Sequence, residues 1–157
     1  MSLLYTPLSR YFSLEQLIQS DTALEHGIEN RPPPQIVDNL RLLAAGLDEV
    51  QDLLGHALQI SSGYRCPALN EAVGGTARSQ HCLGLAADFD CPAYGTPMDV
   101  AHALWDSPIR FDQCIMEFGR WVHLSFTPEP RRRILTIYDT EQGYLAGLVD
   151  RDGNQIA

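Results

Sequence analysis

His81, Asp88 and His123 are the residues of this chain whose types and spacing suit a metal ion. His81 and Asp88 lie in Ser79-Gln-His-Cys-Leu-Gly-Leu-Ala-Ala-Asp88, with Gly84 between them to let the chain turn. His123 lies in Trp121-Val-His-Leu-Ser-Phe126, which reads as a strand. Two imidazoles and one carboxylate make a set of three protein ligands. On Zn²⁺ such a set leaves the fourth position open to water, which separates a catalytic zinc from a structural one. Each residue alone has a plainer reading. A lone strand histidine is usually a satisfied core residue, and an aspartate can cap a turn. Asp88, however, sits inside the apolar run 85–90, where an unpaired carboxylate is costly.

The rest of the chain must bring these side chains together. Ser13 as N-cap with Gln16 three residues on predicts a short helix running to about Thr22. Asn30-Arg-Pro-Pro-Pro34 cannot be helix interior and marks a linker. From Gln35 to Leu54, apolar residues recur at three- and four-residue spacing, the pattern of a core-facing helix closed by Gly55. Residues 57–61 read as a strand delivered to Gly63-Tyr-Arg65, and 67–73 as a one- to two-turn helix. The run 85–90 reads as a buried strand that carries Asp88. Thr96, Pro97 and Asp99 form a second helix start, with the helix running to about Asp106.

Residues 111–117 and 121–126 predict a hairpin around Phe118-Gly-Arg120. A three-residue loop sets Glu117 opposite Trp121 and Ile115 opposite His123, so Glu117 and His123 share a face. A two-residue loop pairs Glu117 with Arg120 and turns the carboxylate away. Residues 134–138 and 144–149 read as peripheral strands, and 150–157 as a polar tail. The reading is a single α+β domain over 1–157: an antiparallel sheet with helices packed on one side.

At 157 residues, 45% hydrophobic and 20% charged, the chain has the composition of a folded domain. Its formal net charge of −9 argues against nucleic acid and anionic membrane surfaces as partners. No apolar run is long enough for a membrane span. The opening Met1-Ser-Leu-Leu-Tyr-Thr-Pro7 lacks a basic region and a long apolar stretch, so no signal peptide is expected. That places synthesis in the cytoplasm. Cys66, Cys82, Cys91 and Cys114 form no Cys-x-x-Cys pair, and free, mostly buried thiols are expected.

Ser79-x-His81-x-x-Gly84-x-Ala86-x-Asp88 resembles the signature of the zinc D-alanyl-D-alanine carboxypeptidase family. Ser62-Gly-Tyr-Arg65, Asn70 with Gly74-Gly75, and Trp121-Val-His123 look like its small single-domain branch, which includes phage endolysin-like members. The likeness runs from about Phe12 to Phe126. It implies a hedgehog/DD-peptidase type fold and Zn²⁺ held by His81, Asp88 and His123. The implied reaction is hydrolysis of peptidoglycan peptide bonds, as a D-Ala-D-Ala carboxypeptidase or a stem-peptide endopeptidase. The implied partner is a stem peptide or another D-Ala-containing peptide, met at the cell wall after release or lysis.

The family also implies a carboxylate base near the second histidine. Several members carry it three residues before that histidine, where this chain has Arg120. Glu117 is the nearest acid and the expected base, with Asp90 and Asp112 as alternatives. Arg65 fits either an oxyanion stabiliser or a holder of the substrate's terminal carboxylate; the plainer reading is a structural ion pair. Ser79 and Gln80 fit ordering of the ligand loop or binding of the substrate backbone. Gln113 fits the orienting of a ligand or plain strand pairing, and Arg131-Arg-Arg133 a solvated strand start or a contact for anionic wall groups. The missing acid at position 120 supports a second reading, a non-catalytic zinc-containing wall-binding or phage structural module of the same fold.

Overall fold

The computed structural model describes residues 5–157. Met1 to Leu4, part of the segment on which the export reading rests, lie outside the described residues. The elements in order are α1 (Leu14–Ile18), α2 (Asp21–Glu25), α3 (Pro34–Leu54), β1 (Gln59–Ser62), α4 (Pro67–Ala72) and a 3₁₀ turn (Gln80–Leu83). There follow β2 (Ala86–Asp90), α5 (Pro97–Trp105), β3 (Gln113–Glu117), β4 (Trp121–Ser125), β5 (Arg133–Ile137) and β6 (Leu145–Ala146). Among the described residues no helix is long and apolar enough to cross a membrane.

Ser13 and Gln16 form the reciprocal cap expected of them, but α1 ends at Ile18 rather than near Thr22. Gln19 turns extended, and the Ser20 side chain accepts from Ala23 N–H to start α2 afresh. A serine that can satisfy a new helix start competes with helix continuation. The carbonyl of Leu17 is thereby left to accept from Tyr64 N–H at 2.7 Å, which docks α1 on the chain leaving β1.

The six strands make one sheet in the order β1-β2-β4-β3-β5-β6. The sheet is mixed, which corrects the expectation of an antiparallel one: β3 and β5 run parallel. The connection 126–132 explains the difference. Arg131 is bonded to Asp112 just before β3, and Arg133 N–H donates to the Asp112 carbonyl. Arg132, at a φ of +52°, sends its guanidinium to the carbonyls of Leu104, Ser107 and Ile109. The returning chain is thus pinned beside the first residue of β3, and β5 can only run alongside it. Nor is β5 peripheral, since it lies between β3 and the two-residue edge strand β6.

Strand alternation gives the sheet two unlike faces. Ala87, Phe89, Cys114, Met116, Val122 and Leu124 share one buried core with Leu40, Leu43, Leu47 and Val50 of α3 and Val100 and Leu104 of α5. Each fully buried leucine in such a core contributes roughly 1.5–3 kcal/mol. Asp88, His123, Ile115 and Glu117 belong to the other face, where they line a cleft. The long helices α3 and α5 therefore cover one face, as expected of the helices. The chain after α4 and the start of the 3₁₀ turn instead border the cleft. Cys91 and Cys114 are buried, Cys66 and Cys82 half-buried, and all four are free thiols.

Candidate metal centre and its cleft

The ligand loop is set on the core by two glycines. Gly84 closes the 3₁₀ turn at a φ of +72°, and a Cβ there would lie 2.8 Å from Ile36 Cγ2 of α3. Only a glycine allows both that backbone and that approach. A Cβ on Gly63 would lie 2.2 Å from the Leu17 carbonyl oxygen, so α1 also packs directly on backbone. The Gly63 carbonyl in turn accepts from His81 Nδ1 at 2.7 Å. Ser79, the cap of the turn, accepts from His81 N–H at 3.2 Å.

That bond decides the chemistry of His81. Because a carbonyl only accepts, Nδ1 carries the proton, and in the neutral ring Nε2 presents a lone pair. Nε2 faces Asp88 Oδ1 at 3.2 Å. His123 Nδ1 reaches the same oxygen at 3.0 Å from β4, where His123 stands directly opposite Asp88 in the register. One ligand atom from each of the three residues lies within 4.8 Å of the others. Two acceptors 3.2 Å apart repel unless a proton or a cation lies between them, so the donor set fits a cation. Zinc with bonds near 2.0–2.2 Å separates tetrahedral ligand atoms by roughly 3.3 Å, close to these contacts.

Burial pushes the Asp88 carboxyl up, but without a cation His123 and His81, when protonated, bond to it and with their charge more than reverse this, leaving it below the ordinary range. Its second oxygen lies 3.5 Å from Arg65 Nη2. Arg65 also donates from Nε to Ser62 Oγ and from Nη1 to Asn70 Oδ1, each at 3.2 Å. The guanidinium is thus held in a fixed plane at the cleft edge while it orients Asp88.

The hairpin register pairs Glu117 with Trp121 and Ile115 with His123, the arrangement of the three-residue loop. Glu117 therefore shares the cleft face with His123 and Asp88. Its Oε1 accepts from Trp121 Nε1 at 2.7 Å. Burial raises the Glu117 carboxyl above its ordinary range; the charge of His123 and the Trp121 bond act against this, and the Asp88 charge adds to it.

The two alternative acids stand elsewhere. Asp90, half-buried at the end of β2 opposite Gln59, does not line the cleft. Asp112 is 1% exposed and fully engaged. It accepts from Arg131 Nε at 2.9 Å, Arg131 Nη2 at 2.7 Å, Arg131 N–H at 3.0 Å and Gln80 Nε2 at 2.9 Å. Gln80, beside His81, is therefore tethered to the start of β3, while its Oε1 is buried without a partner. Arg131 and Arg132 are structural cations rather than a solvated run. Sequence patterning could not pair Asp112 with an arginine on the far side of a hairpin.

The Arg131 bonds hold the Asp112 carboxyl down at about 2, against some opposition from burial. A depressed folded-state value means that this pair stabilises the fold above the unfolded pKa of about 3.9, and that the stabilisation fades as pH falls toward 2. Asp112→Asn is expected to cost about 2 kcal/mol at neutral pH, because Arg131 is half-exposed and can rehydrate. Urea midpoints of the two proteins should converge between about pH 4 and pH 2. A gap independent of pH would show that the charge plays no part.

His81, Asp88, His123, Glu117, Arg65 and Gln80 border a cleft of about 520 Å³. Arg65 and the segment 74–81 line one part of it, with Arg131 joined to Gln80 through Asp112; the sheet lines another, and Ile137, Thr140 and Tyr144 add a second wall. That second wall was not read from the sequence, since β5 and β6 carry no polar motif. Gln113 also borders the cleft.

Comparison with protein-family models matches Peptidase M15 over residues 10–125, a span that includes every residue from Arg65 to His123 described above. No curated protein matches this chain. With most of its length under that match, the chain belongs to the Peptidase M15 family, the zinc metallopeptidases of D-Ala-D-Ala carboxypeptidase and hedgehog type.

Proposed function

We propose that this protein hydrolyses peptide bonds of peptidoglycan stem peptides, as a carboxypeptidase on D-Ala-D-Ala ends or as an endopeptidase. The observation that supports it most is the convergence of His81, Asp88 and His123 on one point of the cleft, with Glu117 on the same sheet face. His81 Nε2, Asp88 Oδ1 and His123 Nδ1 would hold the metal. Zinc bound there supplies Lewis acidity, polarising the scissile carbonyl and making water a stronger acid.

The remaining work falls to the chain. Glu117 takes the proton of the attacking water and returns it to the leaving amine. Burial, which raises its pKa, makes it a stronger base than a solvated carboxylate. Trp121 fixes the carboxylate so that little reorientation is needed. Arg65, positive and planar in the cleft lining, stabilises negative charge that develops within its reach and gives an acidic protein local attraction for an anionic peptide end. Ser79 and Gln80 keep the His81 turn in place through the bonds described above.

Mass spectrometry of purified cell wall after digestion tests the reading. New peptide ends should appear, vanish with a chelator and return with added zinc. Unchanged wall in all three conditions, together with wall binding, would leave the non-catalytic module as the function.

A further inference from the structure

Beyond the reacting groups, the cleft has a wall that the family match does not cover. The match ends at residue 125, whereas Ile137, Thr140 and Tyr144 follow it. The register aligns this wall with the chemistry. Glu117 on β3 pairs with Ile137 on β5, and Thr136 pairs with Leu145, which sets Tyr144 beside Ile137. A row therefore crosses the sheet from Trp121 through Glu117 and Ile137 to Tyr144, two residues along the strands from the row that holds Asp88, His123 and Ile115.

Two strand spacings, roughly 10 Å, separate the β3 and β6 backbones in that row, the length of about three extended peptide residues. A tyrosine ring reaching inward shortens the gap to about one or two residues. Tyr144 is 58% exposed, a large aromatic left bare beside a cleft. Its position is set by the preceding turn, where Asp139 accepts from Gln142 and Gly143 N–H. Partial burial and the charges of Glu117 and Asp88 keep its phenol protonated, hence a hydrogen-bond donor. A rigid ring with a polar tip suits contact with a peptide backbone at small entropic cost.

We propose that Tyr144 is a substrate-binding residue that contacts the peptide on the β5–β6 side of the reacting bond. The proposal rests on the cleft taking a peptide, as in the function above. It sets a length preference: a peptide must extend past the reacting bond to gain from this residue.

The test measures binding to the full-length, zinc-loaded Glu117→Gln protein by calorimetry, so that turnover does not intervene. The probes are D-alanyl-D-alanine and two series that extend it one residue at a time, from the amino end and from the carboxyl end. Tyr144→Ala should weaken binding of the longer members of one series about tenfold and leave the dipeptide unchanged. Tyr144→Phe, keeping the ring, should fall between. An equal loss at every length would assign Tyr144 a structural role and overturn the proposal. No effect at any length, including no binding at all, would overturn it as well. Hydrolysis of the same peptides by the unsubstituted protein reports separately on the proposed function, which can fail while Tyr144-dependent binding persists.

Discussion

Glu117→Gln is expected to lower turnover by about 10²–10⁴-fold while bound zinc is retained, the usual scale for loss of a general base. The substitution is nearly isosteric, and a glutamine Oε1 can still accept from Trp121 Nε1, so the hairpin and the ring beneath it keep their places. What disappears is the ability to take a proton. The metal set is untouched, because Glu117 is not among the three converging residues. Asp90→Asn should leave turnover near that of the parent protein, since Asp90 does not line the cleft. Asp112→Asn should lower stability more than turnover, because that carboxylate is spent on Arg131 and Gln80. Near-normal turnover in Glu117→Gln, with collapse in either of the other two, would move the base and discard the role given to the hairpin register.

That register was half legible from sequence. Alternation along 111–117 and 121–126 placed Glu117 and His123 on one face only if the loop held three residues, and spacing alone left the two-residue loop open. The strand pairing decides it: Glu117 stands opposite Trp121 and Ile115 opposite His123, which leaves Phe118, Gly119 and Arg120 between the paired positions. The helix of α3 and the caps at Ser13 and Thr96 were plain in the pattern, because they are local signals. The break after Ile18 was harder to read, since it turns on whether Ser20 caps or continues a helix. The parallel pairing of β3 with β5 was not legible at all. It depends on Arg131 finding Asp112 nineteen residues back and Arg132 finding carbonyls at the end of α5. Long-range pairs of this kind leave no periodic trace. The same holds for Tyr144, whose place in the cleft follows from that strand order.

Replacing any one of the three converging residues should abolish most zinc binding. His81→Ala, Asp88→Ala and His123→Ala each leave two protein ligands, and affinity should fall by more than the 10–100-fold typical of losing a supporting hydrogen bond. The three variants should differ in stability without the metal. Asp88→Ala removes the shared partner of both imidazoles and of Arg65, whose charge is then buried beside no carboxylate. It should therefore be the least stable of the three. His81→Ala strips the Gly63 carbonyl of its donor and loosens the turn on α3, a smaller loss. His123→Ala removes a half-buried ring and its contact with Asp88, which keeps Arg65 and His81 beside it. Elemental analysis after dialysis against zinc, with far-UV circular dichroism to confirm folding, reads the first effect. Thermal melts without zinc read the second, and melts with it check the first: a metal present at a hundred times its Kd adds about 2.7 kcal/mol to the parent protein and should add almost nothing to the variants. Full zinc in all three folded variants would sink the site. Zinc lost from Asp88→Ala but kept by both histidine variants would point to a carboxylate cation site in place of the mixed nitrogen and oxygen set.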